Sequence, residues 1–226
     1  MGASWGPKVE DHVQSATRVT VTVRSQIASV QAEFESRPAG LRAHVERVLV
    51  EALDLANRYD VDPDRVELAV WGHDLFRAHR TGELLSLAAS CGVPIGPEDA
   101  LEPVLLHGPI AAAVLRDRFS INDDEALAAV RDHTLGLGAM PIIAKIILIA
   151  DKVEQRKRRR SPAMRAIRRV ARVDLDLALL CWADWKWVEE RTQGWNSHPT
   201  HWAARSTWVR EHHFEIGMPG RSIGDD

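Results

Sequence analysis

The sequence predicts an all-helical protein, and three observations carry that reading. Apolar residues recur at intervals of three and four, as in Leu41, Val45, Val48, Ala52, Leu55 and Tyr59. Proline, aspartate and glycine fall at the edges of these periodic stretches, where helix caps and stops belong. Only one short run, Val19 to Val23, alternates in the manner of a strand, and it has no obvious partner. A helix is therefore expected to extend through it.

Taken in order, residues 1–40 form a lead-in, part helical, that ends at the break Arg37-Pro38-Ala39-Gly40. A helix follows from Leu41. Asp62-Pro63 caps the next one, which carries Val66, Ala69, Val70, His73 and Asp74. Two shorter helices are expected at about 83–90 and 98–106, separated by Gly92, Pro94 and Pro97. Pro109 suits the first turn of a helix reaching Phe119, and Asn122-Asp123-Asp124 caps another that ends near His133. Gly136 and Gly138 break the chain there. Pro141 opens an almost wholly apolar helix, Ile142 to Ala150, which should be buried on most sides. Asp174 starts a long helix to about Arg191, and a last helix is expected at about 201–212 after a turn from Gly194 to Pro199. The expected division is a lead-in over 1–40, a core over 41–155, and a basic then Trp-rich helical portion over 156–226.

At 226 residues the chain can build one sizeable core. Its 45% hydrophobic and 27% charged content is that of an ordinary soluble domain. No run reaches the roughly 18 apolar residues of a membrane span, and the N-terminus lacks the layout of a secretory signal. With two distant cysteines, Cys91 and Cys181, a disulfide framework is not expected and a reducing cytoplasm is. The net charge of −3 hides a strong asymmetry. Between Arg156 and Arg172 there are nine Lys/Arg residues and no acid, read either as a solvated basic loop or as a surface that steers an anion or RNA.

Chemistry concentrates around His73-Asp74. Four more potential ligands, His44, His107, His133 and Asp151, fall inside or at the ends of helical stretches. His44 shares a helix face with Leu41 and Val48 and so looks inward. Asp151 closes the apolar helix, where an unpaired carboxylate would cost several kcal/mol to desolvate. A metal is the simplest compensation. Imidazole and carboxylate donors suit zinc, iron, manganese or nickel.

The local strings around these residues are Leu41-Arg42-Ala43-His44, Gly72-His73-Asp74-Leu75, Leu106-His107-Gly108-Pro109, Asp132-His133-Thr134-Leu135-Gly136 and Ile149-Ala150-Asp151-Lys152-Val153-Glu154. In this order, with Met140, the Asp174-Leu-Asp-Leu-Ala segment, His198-Pro199 and Arg205, they resemble the HD-domain metal-dependent phosphohydrolases over about residues 41–205. Within that group the chain is similar to the YqeK subfamily, whose members split diadenosine tetraphosphate into two ADP. The resemblance implies an HD-domain helical bundle with a C-terminal helical extension. It also implies a two-metal site: His44, His73, Asp74 and Asp151 around one ion, and Asp74, His107 and His133 around the other. Iron is the expected occupant, with manganese, zinc or nickel as alternatives. A water shared by the two ions would be acidified towards neutral pH. Asp74, His107, His133 and Arg77 are the catalytic residues so implied, and Arg42, Arg77, Thr134, Gly136, Lys152 and Arg156 would contact substrate.

The chain departs from the family at two places. Arg77 stands where a lysine is usual, which changes reach and fork geometry. Gln155 and Arg156 follow Glu154 where a proline is common, which leaves the placement of Arg156 open. Trp71 is expected as a wall beside the metals, and Trp182 and Trp185 as one packed face or dimer contact. His12, His79, His198, His201, His212 and His213 are expected at the surface. The expected partner is a nucleotide rather than a membrane, with RNA and a homodimer left open. Two other readings compete with the tetraphosphatase: a hydrolase of mononucleotides or cyclic dinucleotides, and a non-catalytic nucleotide- or RNA-binding regulatory module. The Gly-Tyr-Pro signature common among cyclic-dinucleotide phosphodiesterases is absent, since the one tyrosine is Tyr59.

Overall fold

The computed structural model describes residues 23–215, with side chains through residue 212. Most of the lead-in, including Val19 to Thr22, lies outside the described residues. The described chain is all-helical. Helix α1 occupies residues 23–34, and a turn ending at Pro38 leads into α2 (Ala39–Arg58). Next come α3 (Pro63–His73), α4 (Thr81–Ser90), α5 (Pro97–Leu101), a 3₁₀ turn (Pro103–Leu106) and α6 (His107–Phe119). The remainder is α7 (Asp124–Asp132), α8 (Ile142–Val153), α9 (Gln155–Arg160), α10 (Pro162–Ala171), α11 (Leu175–Gln193) and α12 (Pro199–Glu215).

The centre of the bundle is α8. Every residue from Ile146 to Asp151 is buried, and α2, α3, α7, α10 and α11 all pack against it. A helix so apolar can be stable only inside, which is why it became the axis around which the others are arranged. Caps fix where the neighbours begin. The Asp62 carboxylate accepts the Asp64 N–H at 2.9 Å beside Pro63, and Asp123 accepts from Glu125 and Ala126 at 3.1 Å. Asp123 is also held by both ends of the Arg65 guanidinium, at 2.5 and 2.7 Å, so the start of α7 is tied to α3.

Several elements differ from the sequence expectation. The helix expected over 98–106 splits at Glu102, because Pro103 disfavours helical backbone before it and supplies no N–H. The helix Ile142 to Ala150 runs on to Val153, placing Asp151 inside its last turn. The last helix starts earlier than expected, since Pro199 is its first residue and His198 Nδ1 accepts the Thr200 N–H at 3.2 Å.

The basic run is not a solvated loop. It forms α9 and α10, and part of it turns inward. Arg158 and Arg168 reach the buried Glu51 carboxylate at 2.5 and 2.6 Å, while Arg168 and Arg172 approach Asp54 at 3.6 Å. These acids lie one turn apart on α2, so an acidic stripe about a hundred residues away absorbs part of the charge. Arg156, Arg159, Arg160, Arg165 and Arg169 remain exposed.

Two histidines expected at the surface are interior. His201 and His212 lie with Ala204 and Trp208 on the buried face of α12, 4% and 5% exposed respectively. His79 is half-buried against Phe76, with ring centroids 5.0 Å apart, and His198 is also half-buried. His12 and the His213 side chain lie outside the described residues. Trp71 packs edge-on against Phe34 of α1, at the edge of the core. Trp182 is buried and Trp185 packs against the core, while Trp187 is 36% exposed. Among the described residues no helix is long and apolar enough to cross a membrane.

Candidate metal centre

Five helices or helix ends deliver the six side chains to one place. His44 comes from the second turn of α2, His73 is the last residue of α3, and Asp74 follows it with φ −106° and ψ 17°, just outside the helix. His107 opens α6, His133 follows α7, and Asp151 comes from the end of α8. His73, Asp74, His107, His133 and Asp151 are all buried.

Three of the histidines are aimed by one local device. The Nδ1–H of His73 donates to the Val70 carbonyl at 2.6 Å, that of His133 donates to Val130 at 2.8 Å, and that of His107 donates to Val104. In each case the acceptor is the main-chain carbonyl three residues back, in the turn that precedes the ring. Fixing Nδ1 as the donor leaves Nε2 as a bare lone pair pointing inward.

These lone pairs converge on Asp74, and its two oxygens face different pairs. Oδ2 lies 3.6 Å from His44 Nε2 and 3.7 Å from His73 Nε2. Oδ1 lies 3.1 Å from His107 Nε2 and 3.6 Å from His133 Nε2. On the first side, Asp151 Oδ1 stands 3.1 Å from His44 Nε2. On the second, the two Nε2 atoms of His107 and His133 are only 3.0 Å apart.

The protonation states leave the inward-facing nitrogens open to a cation. Burial lowers His73, and lowers His133 to about 4, so both rings are neutral near pH 7. Burial by itself would raise Asp74, yet the neighbouring His73, His107 and His133 outweigh it and keep the carboxyl well below its usual range. With His73 and His133 neutral, their Nε2 atoms face the ionised Asp74 as acceptor against acceptor. His73 Nε2 is fully buried and, among the described residues, has no hydrogen-bond partner. A cation among these donors resolves both problems, and His44, His73 and Asp151, like His73, Asp74 and His133, are spaced to hold one.

Arg47, Lys157 and Glu154, to which the sequence reading gave no role, complete the surroundings together with the candidate Lys152. Glu154 is 1% exposed, accepts from Arg47 Nε at 2.6 Å, and lies 3.8 Å from His44 Nδ1. It also caps α9 through the N–H groups of Arg156 and Lys157. Because Glu154 takes ψ 159°, the helix breaks and the chain changes direction between α8 and α9. That turn carries Lys157 to Asp151, where its Nζ bonds Oδ1 at 2.7 Å and the main-chain carbonyl at 2.6 Å. Lys152 Nζ bonds the other oxygen at 2.7 Å. Burial would raise Asp151, but these two ammonium groups hold it well below the carboxylate range.

The remaining candidates are placed unevenly. Thr134 Oγ1 lies 3.2 Å from His133 Nε2, at the cluster. Arg77 is exposed, and among the described residues its guanidinium has no partner; its N–H bonds the Asp74 carbonyl at 3.0 Å. Arg42 turns away to the carbonyls of Glu35 and Arg37, at 2.5 and 3.3 Å. The Arg156 side chain is exposed and makes no contact with the cluster. Gly136, at φ 74°, packs under Trp208, whose ring would lie 2.6 Å from an added Cβ.

Gly108 is needed for closeness. A Cβ there would lie 2.9 Å from the carbonyls of Val130 and Arg131 and 3.3 Å from the His133 ring. Gly108→Ala should therefore push α6 from the end of α7 and separate His107 from His133. The expected cost is about 1–3 kcal/mol in urea unfolding, with weaker metal retention. Unchanged stability and metal content would show that the two helices can part freely.

Comparison with known proteins fits this geometry. A symmetrical bis(5'-nucleosyl)-tetraphosphatase from Halalkalibacterium halodurans is 32% identical over 139 residues, covering 61% of this chain and 72% of the relative. The chain belongs to this tetraphosphatase family. The Bacillus subtilis member is 30% identical over 137 residues, again covering 61% and 72%, and that from Staphylococcus aureus is 35% identical over 122 residues, covering 53% and 61%. Among solved structures, one described as a predicted HD superfamily hydrolase involved in NAD metabolism, from Clostridium acetobutylicum, superposes with a TM-score of 0.76. It shares 25% identity, and the match covers 81% of this chain and 97% of that one. The bundle is thus the HD-superfamily fold. No family model matches the chain.

Proposed function

We propose that this tetraphosphatase-family protein hydrolyses a phosphoanhydride of dinucleoside polyphosphates, cutting diadenosine tetraphosphate into two ADP at a centre of two divalent ions. The observation that carries the two-ion reading is the division of Asp74, one oxygen facing His44 and His73 and the other facing His107 and His133. His44, His73, Asp151 and Asp74 would hold one ion, and His107, His133 and Asp74 the other. Iron is our choice, and manganese, zinc or nickel would suit the same donors.

When bound, such ions supply an acidified water as nucleophile and positive charge for the phosphoryl oxygens. The protein's own residues do the rest. Carbonyls of Val70, Val104 and Val130 fix three imidazoles, so little reorganisation is needed during reaction. Thr134 offers a hydroxyl beside His133, and Arg77, with its guanidinium unengaged among the described residues, suits a phosphate of the chain. The substrate carries about four negative charges near neutral pH. The exposed arginines of α9 and α10 would draw it in through a field that salt weakens.

A substrate panel tests this directly. Metal-loaded protein should turn over diadenosine tetraphosphate well ahead of NAD, mononucleotides and cyclic dinucleotides. Preference for a mononucleotide would leave a metal-dependent hydrolase of another kind.

A further inference from the structure

Five consecutive basic residues follow Gln155, and the structure gives them different tasks. Arg158 turns inward to Glu51 at 2.5 Å. Arg156, Arg159 and Arg160 are exposed, without contact to the histidine–aspartate cluster. Only Lys157 touches that cluster, through Asp151. We propose that Lys157 is a substrate-binding residue whose ammonium grips a phosphate of the polyphosphate chain beside Asp151. This rests on the tetraphosphatase reading and adds to it a contact made by α9.

Three features separate Lys157 from a mere counter-charge. First, Asp151 already has one: Lys152 bonds its Oδ2 at 2.7 Å. One ammonium balances one carboxylate, so the charge of Lys157 is surplus to the ion pair. Second, an ammonium has three donors, and Lys157 uses two on Asp151, leaving one. Third, the exposures differ in the required sense. The Lys157 side chain is 39% exposed, against 17% for Lys152 and 9% for Asp151. Lys157 thus stands at the solvent edge of the cluster, with a free donor and excess positive charge.

The local fold is built to bring it there. A straight continuation of α8 would set Lys157 six residues, nearly two turns, beyond Asp151. The extended ψ of Glu154 breaks the helix, and the Glu154 carboxylate then caps the new one through the Lys157 N–H at 3.3 Å. The same carboxylate holds Arg47 and neighbours His44, so α9 is set in register with the ligand cluster.

The test compares wild type, Lys157→Met and Lys157→Arg for metal content, ADP affinity by calorimetry, and kcat and KM on diadenosine tetraphosphate. In Lys157→Met, KM should rise and ADP affinity fall by about tenfold to a hundredfold, the loss of one charge-assisted contact. Metal content should stay at the wild-type level, and Lys157→Arg should recover most of the affinity. Unchanged KM and ADP affinity in Lys157→Met would overturn the proposal while leaving the tetraphosphatase reading intact. A loss of metal and kcat with KM unchanged would overturn it too, by making Lys157 a support for Asp151 alone. Failure of the metal-loaded wild type to bind ADP or cleave the substrate would remove the function itself, and the proposal with it.

Discussion

Asp74→Ala should empty both metal positions and lower kcat/KM by at least about a thousandfold, the upper range for losing one preorganised electrostatic group. The carboxylate is 5% exposed and its two oxygens face two pairs of imidazoles. Truncation removes the carboxylate shared by the two pairs. His107 and His133 would then keep two nitrogens 3.0 Å apart and no carboxylate between them. Metal analysis of protein purified without chelator, beside kinetics and a circular dichroism control, checks the result. A variant that folds and retains two ions per chain would show that Asp74 is not the bridge.

His133→Ala should separate the two halves. The side of the cluster formed by His44, His73 and Asp151 does not include His133, so one ion should remain. The other should be lost, since only His107 and Asp74 Oδ1 would be left to hold it. Turnover should fall by about a hundredfold to a thousandfold, because one of two cations opposing the phosphoryl charge is gone. The reciprocal His44→Ala variant should strip the first side instead. Loss of both ions from His133→Ala, with the fold intact, would mean the halves are not independent.

The meeting of the six side chains was legible because each carries its own local signal. The caps Asp62 and Asp123 and the first-turn prolines Pro63 and Pro109 mark where α3, α6 and α7 start or run, and so where His73, His107 and His133 emerge. The apolar run before Asp151 announces a buried helix by composition alone. What escaped the sequence depends on contacts between distant segments or on a single backbone angle. Nothing in the spacing of Asp151 and Lys157 reveals that the helix breaks at Glu154, so Arg156 appeared the better candidate and Lys157 was missed. Glu51 and Asp54 lie on α2, far from Arg158, Arg168 and Arg172, and a run of positive charge read alone looks solvated. The C-terminal histidines misled for a similar reason. A polar helix with few apolar residues gives a weak period, and the buried face of α12 became apparent only from its partners. His201 donates to the Leu135 carbonyl at 2.9 Å and Trp208 to that of Gly138 at 3.1 Å. Those contacts clasp the loop that follows His133.

The most direct measurement is hydrolysis of diadenosine tetraphosphate by the metal-loaded protein in ¹⁸O-enriched water, with the nucleotides resolved by mass spectrometry. Attack on an inner phosphorus transfers one water oxygen to one of the two products, and the other product keeps the bridging oxygen. ADP should therefore be the sole nucleotide product, with one ¹⁸O in half of its molecules, on the terminal phosphate. AMP together with ATP, in any labelling pattern, would contradict symmetrical cleavage at this centre.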